Sequence, residues 1–292
     1  MKIPPTLYSS MHFNFLYADR YVFPKGWFYL ESKIPYCITR YMLKGSAVFI
    51  IDGVEHIIHE NEIAYLPEGC KLECHALSDE VEFISIRFVT TLRLDNNDFL
   101  QEFFHINPIT RKTDEVVRGY FWEVYRNATS NNSSRLLRIR GNLELIMAYL
   151  VEQDPEAVVE ESDQPVADLS IEGIRRRMNH STMIKRDPRI QVVVDYLIFH
   201  PTEPFDTAFL SEMAQMSPST LRRLFKEHTG KSPGDFVKDL RMVTAARRLL
   251  TTDLGVSQIA YEVGYDDPNY FARMFKKSFG ISPREYRKAS QE

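Results

Sequence analysis

Two stretches of this chain are versions of one another. Residues 219–236 read STLRRLFKEHTGKSPGDF and residues 269–286 read NYFARMFKKSFGISPREY. In one register they share Arg223/Arg273, Phe225/Phe275, Lys226/Lys276, Gly230/Gly280, Ser232/Ser282 and Pro233/Pro283, and upstream Glu212 aligns with Glu262. A duplicated short basic helix, each copy preceded by another short helix and a tight break, constrains this part of the chain to two helix-turn-helix units in tandem.

Each copy follows the same physical logic. Phe209, Leu210, Met213 and Ala214 share one helical face, and Gln215, Met216 and Ser217 make a break too short for anything but a turn. Ser217 then caps a new helix with Pro218 at its first position, where the missing N–H costs nothing, and Leu221, Leu224 and Phe225 form the buried stripe. The second copy repeats this with Ile259, Ala260 and Val263, a turn at Gly264, a cap at Asp266 or Asp267, Pro268, and Phe271, Met274 and Phe275 inside. Gly264 suits a turn residue of positive φ, and Gly230 and Gly280 end the two basic helices. Residues 233–251 read as one connecting helix, about 28 Å long at 1.5 Å per residue, against about 34 Å between successive major grooves on one side of B-DNA.

With these residues in place, residues 188–289 resemble the C-terminal domain of the AraC/XylS family of bacterial transcription regulators. VSQIAYEVGYDDPNYFARMFKKSFGISPREYRK, residues 256–288, matches the family's second unit, and LSEMAQMSPSTLRRLFKEHTGKSPGDFVKDLRMVTAARRLL its first. The resemblance implies double-stranded DNA as partner, with bases read from the first half of each second helix: Ser219, Arg222 and Arg223 in one unit, and Pro268, Asn269 and Arg273 in the other. Chemistry agrees, since Arg forks onto guanine O6 and N7, and Asn onto adenine N6 and N7. Lys226, Lys276, Lys277 and Arg287 are placed for phosphate contacts, which position without specifying.

Charge is arranged locally. The chain has 36 Lys+Arg against 40 Asp+Glu, a net charge of −4, yet residues 217–288 carry 14 basic and 8 acidic residues, leaving the remainder at −10. That asymmetry suits a DNA-facing module joined to a domain with another task. The division expected is a sensing and dimerisation domain over 1–155, a linker over 156–187 and the DNA-binding domain over 188–292. The start, MKIPPTLYSSMHF, has no long apolar core and does not resemble a signal peptide, so a cytoplasmic protein without a membrane partner is expected. Cys37, Cys70 and Cys74, an odd number, are expected to be free thiols.

Residues 20–95 read as antiparallel β, with strands at 27–30, 38–43, 47–51, 55–58, 63–66, 71–75 and 81–88. Asp52-Gly53 between VFII and VEHII is a strong hairpin signal. The spacing suggests a jelly-roll barrel, and the run from Gly45 through LPEGCKLECH resembles the cupin-type barrel of sugar-responsive AraC-family members. The fold expected is therefore α+β in two domains: a cupin-like β-barrel with helices, then an all-α tandem helix-turn-helix. Enzymatic cupins hold a metal through a His-x-His pair; here His56 and His59 are three apart and fall on opposite strand faces, so no metal, no other cofactor and no enzyme activity is expected. A cupin-type metal enzyme with an appended DNA-binding domain, and a ligand-independent regulator, are the alternatives. Trp27, Tyr29, Arg40 and His75 are candidates to line a pocket for a small-molecule effector such as a sugar.

Residues 113–125 and 134–151 read as helices. The second carries Leu136, Ile139, Leu143, Ile146 and Leu150 at spacings of three and four and is expected to be a dimer seam, with a face packed on its own barrel as the alternative. The family resemblance favours a homodimer, with RNA polymerase as a further partner of such regulators. Residues 152–186, acidic and then basic, read as a linker with a short helix over 171–178.

Overall fold

A computed structural model describes residues 11–31, 34–94, 98–153, 183–185 and 187–289. The N-terminal part is two antiparallel sheets. One has the order β1-β8-β3-β6-β10, from β1 (Phe13–Pro24), β8 (Glu80–Thr90), β3 (Cys37–Lys44), β6 (Ile63–Leu66) and β10 (Ile109–Thr110). The other has the order β2-β7-β4-β5, from β2 (Phe28–Glu31), β7 (Leu72–Ala76), β4 (Ser46–Ile51) and β5 (Val54–His59). All seven expected strands are present. The Asp52-Gly53 turn has φ of 49° and 85°, the two positive values its hairpin requires.

Two features differ from the sequence reading. The sheets do not close into a barrel, because the edge strands β1 and β2 stay unpaired with each other. And β1, twelve residues long, lies mostly ahead of the stretch read as β; its sequence FNFLYADRYVFP is apolar on both faces because both are covered, so the alternation that marks a half-exposed strand is missing.

Strand alternation sorts the five-stranded sheet's side chains between two cores. Ile84, Ile86 and Phe88 of β8 and Cys37 and Tyr41 of β3 face outward onto α1 (Phe99–Phe104), α2 (Glu115–Ala128) and α3 (Arg135–Glu152). Phe83, Ile38 and Met42 face inward, towards Phe49, Leu72 and Cys74 of the other sheet. The three cysteines are buried, and among the described residues none forms a disulfide. β9 (Leu92–Leu94) pairs with β11 (Met183–Lys185), which ties the segment entering the C-terminal domain to the sheets. The helix expected over 171–178 lies outside the described residues.

Seven helices follow: α4 (Pro188–Phe199), α5 (Thr207–Met213), α6 (Pro218–Thr229), α7 (Pro233–Thr251), α8 (Val256–Glu262), α9 (Pro268–Phe279) and α10 (Pro283–Ala289). The caps fall where the sequence puts them. Ser217 Oγ accepts from the Thr220 N–H, Ser232 Oγ from Asp235, and the Asp267 carboxylate from Asn269, each ahead of a proline. Gly230 and Gly280 stop α6 and α9 in the left-handed conformation.

This helical domain shares one continuous apolar core with the inside of the sheets. It sits against both edge strands. Rings meet across the boundary at Tyr17–Phe236 (6.1 Å), Tyr21–Phe279 (5.9 Å) and Phe23–Tyr286 (5.6 Å), and the Trp27 indole N–H donates to the Phe279 carbonyl at 3.0 Å. Arg247 of α7 reaches the Asp19 carboxylate at 2.9 Å, with Asp19 only 1% exposed. The two helix-ending glycines lie flush on the N-terminal domain: a Cβ on Gly230 would overlap Pro35, and one on Gly280 the Phe28 carbonyl. Glycine is thus needed there for close approach as well as for φ.

Two polar groups make this seat testable. Burial pushes the Asp19 carboxyl up even beside Arg247, so its ionisation depends on that guanidinium. Arg247→Met strands the carboxylate and should cost about 2–3 kcal/mol in urea denaturation, part of it recovered in the Asp19→Asn, Arg247→Met double variant. On α4, Gln191 donates to the Phe15 carbonyl (3.3 Å) and to Asp195 (2.7 Å), and desolvation pushes the Asp195 pKa up to about 6. Because that folded-state value lies above the unfolded one, the native protein holds an extra proton between about pH 4 and 6, and stability falls as pH rises through this window. Asp195→Asn should remove that slope, and its advantage over wild type in thermal denaturation should be about 2 kcal/mol larger at about pH 8 than at about pH 4.

Candidate functional site

The second helix of each unit, α6 and α9, buries one face and presents the other. Leu221 and Phe225 in α6, and Phe271, Phe275 and Phe279 in α9, lie in the core. Ser219, Arg222, Arg223 and Lys226, and Asn269, Arg273, Lys276 and Lys277, are exposed. Helical periodicity produces this division directly, since the apolar and polar residues occupy alternate faces of a 3.6-residue turn. Pro268 is half-buried at the start of α9, and the Ser219 hydroxyl lies 3.1 Å from the cap hydroxyl of Ser217. The C-terminal ends of both helices are set against the N-terminal domain through Gly230 and Gly280, which leaves their N-terminal halves facing away from those contacts.

The equivalent arginines are held differently. Arg223 donates to the Glu227 carboxylate at 2.8 Å, whereas the position equivalent to Glu227 is Lys277, and Arg273 instead leans over the Tyr270 ring at 5.9 Å. The turns differ as well. In the first unit Gln215 takes the positive φ (51°) two residues before the cap Ser217; in the second Gly264 (φ 85°) stands three before Asp267. Arg241 of α7 donates to the carbonyls of Pro201, Glu203 and Gly264, fastening the connector to both units. Arg287 donates to the carbonyls of Leu249 (3.3 Å) and Leu254 (2.6 Å), so it braces the end of α7. Its exposed neighbours Arg284 and Lys288 line, with it and residues 255–257, an open groove at the start of α8. Sequence reasoning did not single out Arg284 or Lys288, and it left Thr220 and Tyr270 undecided between core and DNA contact. Exposed positive charge beside a helix start was the available signal for the first two.

The sequence family described as a helix-turn-helix domain matches residues 210–289. Over 121 residues the chain is 35% identical to the arabinose operon regulatory protein of Escherichia coli K12, and over 114 residues it is 32% identical to the transcriptional activator RhaS of Enterobacter sp. strain 638. Its C-terminal region carries a helix-turn-helix domain of the AraC/XylS type. These alignments cover 40% and 39% of this chain and 41% of each relative, so the likeness is to a part of those proteins. Over nearly the whole length a similar fold recurs in ToxT of Vibrio cholerae O395, with a TM-score of 0.50 at 14% identity, covering 96% of this chain and 98% of that one; at that identity the likeness is of fold alone. Among the described residues no helix is long and apolar enough to cross a membrane.

In the N-terminal domain the four pocket candidates part company. Trp27 and Arg40 point between the sheets, Trp27 stacked on Phe23 with centroids 4.0 Å apart and committed to Phe279. Tyr29, half-buried, lies parallel to Trp27 at 6.5 Å. His75 is paired with Phe28, which is exposed, and follows the inward-facing Cys74, so it belongs to the opposite face. Among the described residues no group of three His, Cys, Asp or Glu side chains is gathered as metal ligands; Glu62 accepts instead from the His59 backbone N–H at 2.8 Å.

For the DNA face, Arg223→Ala and Arg273→Ala should each weaken specific binding by about 1–3 kcal/mol and relax preference at a local group of bases, as read by titration of base-substituted sites. Lys226→Ala and Lys276→Ala should each lower the slope of log affinity against log salt by about 1 with base preference retained.

Proposed function

We propose that the protein is a sequence-specific transcription regulator in which α6 and α9 read two successive major-groove segments, controlled by a small molecule bound between the N-terminal sheets and acting beside RNA polymerase as a homodimer. The observation that carries this reading is the pair of exposed basic helix faces at the two ends of one 19-residue connector. Ser219, Arg222, Arg223, Asn269 and Arg273 are the base-reading set, and Lys226, Lys276 and Lys277 the phosphate set, joined by Arg284 and Lys288. In site selection from random DNA, the full chain is expected to enrich two groups of specified bases about 10–10.5 base pairs apart. Selection of one group alone would remove the second unit from the reading.

Dimerisation is assigned to a different face of α3 from the heptad stripe. Ile139, Leu143, Ile146 and Leu150 are buried in the domain's own core, with Leu136 at its rim. Turned outward are Leu137, 75% exposed, and Leu145, 46% exposed, with Gly141 and Ala148 on the same side. The helix is basic in its first half (Arg135, Arg138, Arg140) and acidic later (Glu144, Glu152), so a second copy laid antiparallel brings opposite charges together. Leu145→Asp should therefore shift sedimentation from dimer to monomer with the thermal midpoint nearly unchanged. Leu143→Asp puts a charge in the core and should lower stability by several kcal/mol whatever the assembly state.

A further inference from the structure

β5, with the sequence VEHIIH, ends the order β2-β7-β4-β5 and pairs on one side only, with β4. The long edges β1 and β2 carry the helical domain, and β10, the remaining edge of the five-stranded sheet, has two residues. The two-residue Asp52-Gly53 turn makes Ile51 and Val54 a hydrogen-bonded pair. Val54, His56 and Ile58 therefore direct their backbone groups to β4, while Glu55, Ile57 and His59 aim theirs at the open side. His59 is closed off, since its N–H donates to the Glu62 carboxylate at 2.8 Å and its carbonyl accepts from the Glu62 N–H at 3.1 Å. Among the described residues nothing bonds the outward backbone groups of Glu55 and Ile57, both of which are exposed. Edges of this kind are ordinarily blunted by a lysine, a proline or a bulge. β5 has no Lys or Pro, and its register on β4 is unbroken. It presents apolar side chains instead, with Val54 57% and Ile57 40% exposed.

We propose that β5 is a self-association edge, occupied by β5 of a second copy of this chain laid antiparallel about a two-fold axis at His56. This goes beyond the regulator reading and does not depend on it. Only that register places all the open groups on bonds, because Glu55 then stands opposite the partner's Ile57 and each such pair exchanges N–H and C=O. The side chains agree with it. On the outer face the two copies of Ile57 lie diagonal to one another, and Glu55 lies diagonal to the partner's His59, which offers its carboxylate a donor. On the inner face the exposed Val54 comes opposite the partner's Ile58. The two four-stranded sheets thereby become one sheet of eight. The contact is compatible with the others in the molecule. α3 packs on the outside of the five-stranded sheet, and Gly280 of α9 rests on Phe28 of β2, at the far edge from β5.

The test uses the full chain. His56→Cys puts two thiols across the axis in a non-hydrogen-bonded pair, where side chains stand close enough for a disulfide. Oxidation with copper phenanthroline is expected to give a covalent dimer from this variant, and none from wild type, whose cysteines are buried, or from Leu77→Cys, which is exposed but off the edge. Adding Ile57→Pro removes an outward N–H and no bond to β4, and is expected to abolish the cross-link. Should that variant fail to fold, Ile57→Lys keeps the backbone and blunts the edge, and is expected to lower the cross-linking rate about tenfold. Glu55→Lys is expected to weaken the cross-link and Glu55→Lys with His59→Glu to restore it, a recovery that a loss of local structure would not show. Leu145→Asp, which charges the exposed side of α3, is expected to leave it in place. No cross-link from His56→Cys, the same yield with Ile57→Pro or Ile57→Lys added, or loss of the cross-link in Leu145→Asp overturns the proposal.

Discussion

The seat of the helical domain on β1 and β2 is the contact on which the rest of the molecule depends. Two sheets whose edge strands do not pair leave apolar side chains open on one side, and here Tyr17, Tyr21, Phe23 and Trp27 are covered by Phe236, Phe279 and Tyr286. Burial of aromatic area drives this association without direction. Direction comes from the polar groups, since a carboxylate as buried as Asp19 tolerates only a placement of α7 that keeps Arg247 within reach.

Because α6 and α9 both end in glycines pressed against the N-terminal domain, the two domains cannot move relative to one another without releasing those ends. The connector α7 joins the two units, with Arg241 bonded to the loop between α4 and α5 and to the turn between α8 and α9. A change between the sheets thus acts on α6 and α9 as a unit. The structure supplies the contact through which differential affinity for a ligand could be converted into a change in DNA binding.

The two units are related in sequence but not equivalent in chemistry. Arg223 is paired with the Glu227 carboxylate, while Arg273 rests on a ring face. In the proposed base-reading role the first unit would discard an ion pair on binding, which would lower its net gain, and the pair holds the side chain extended in the free protein.

The tandem helices were legible because their signals are local: caps, prolines and glycine stops act through hydrogen bonds within a few residues, and the duplication states each one twice. The strands from β2 to β8 were legible for the same reason, through alternation and the Asp52-Gly53 turn. β1 was not, since burial on both faces erases alternation, and the open side of the sheets was not, since closure depends on which strands meet at the edges. The heptad stripe of α3 records that Ile139, Leu143, Ile146 and Leu150 are buried, but burial in one's own sheet and burial in a partner leave the same periodicity. Likewise, Arg40, Trp27 and Asp19 each stood in the sequence as a polar or aromatic residue on a strand. Which of them meets a partner is a matter of long-range placement: Trp27 and Asp19 find Phe279 and Arg247 more than two hundred residues away, and Arg40 meets no carboxylate among the described residues. Sequence periodicity determined which faces are apolar; only the packing of distant segments, through desolvation and the matching of buried charges, decided what each face touches.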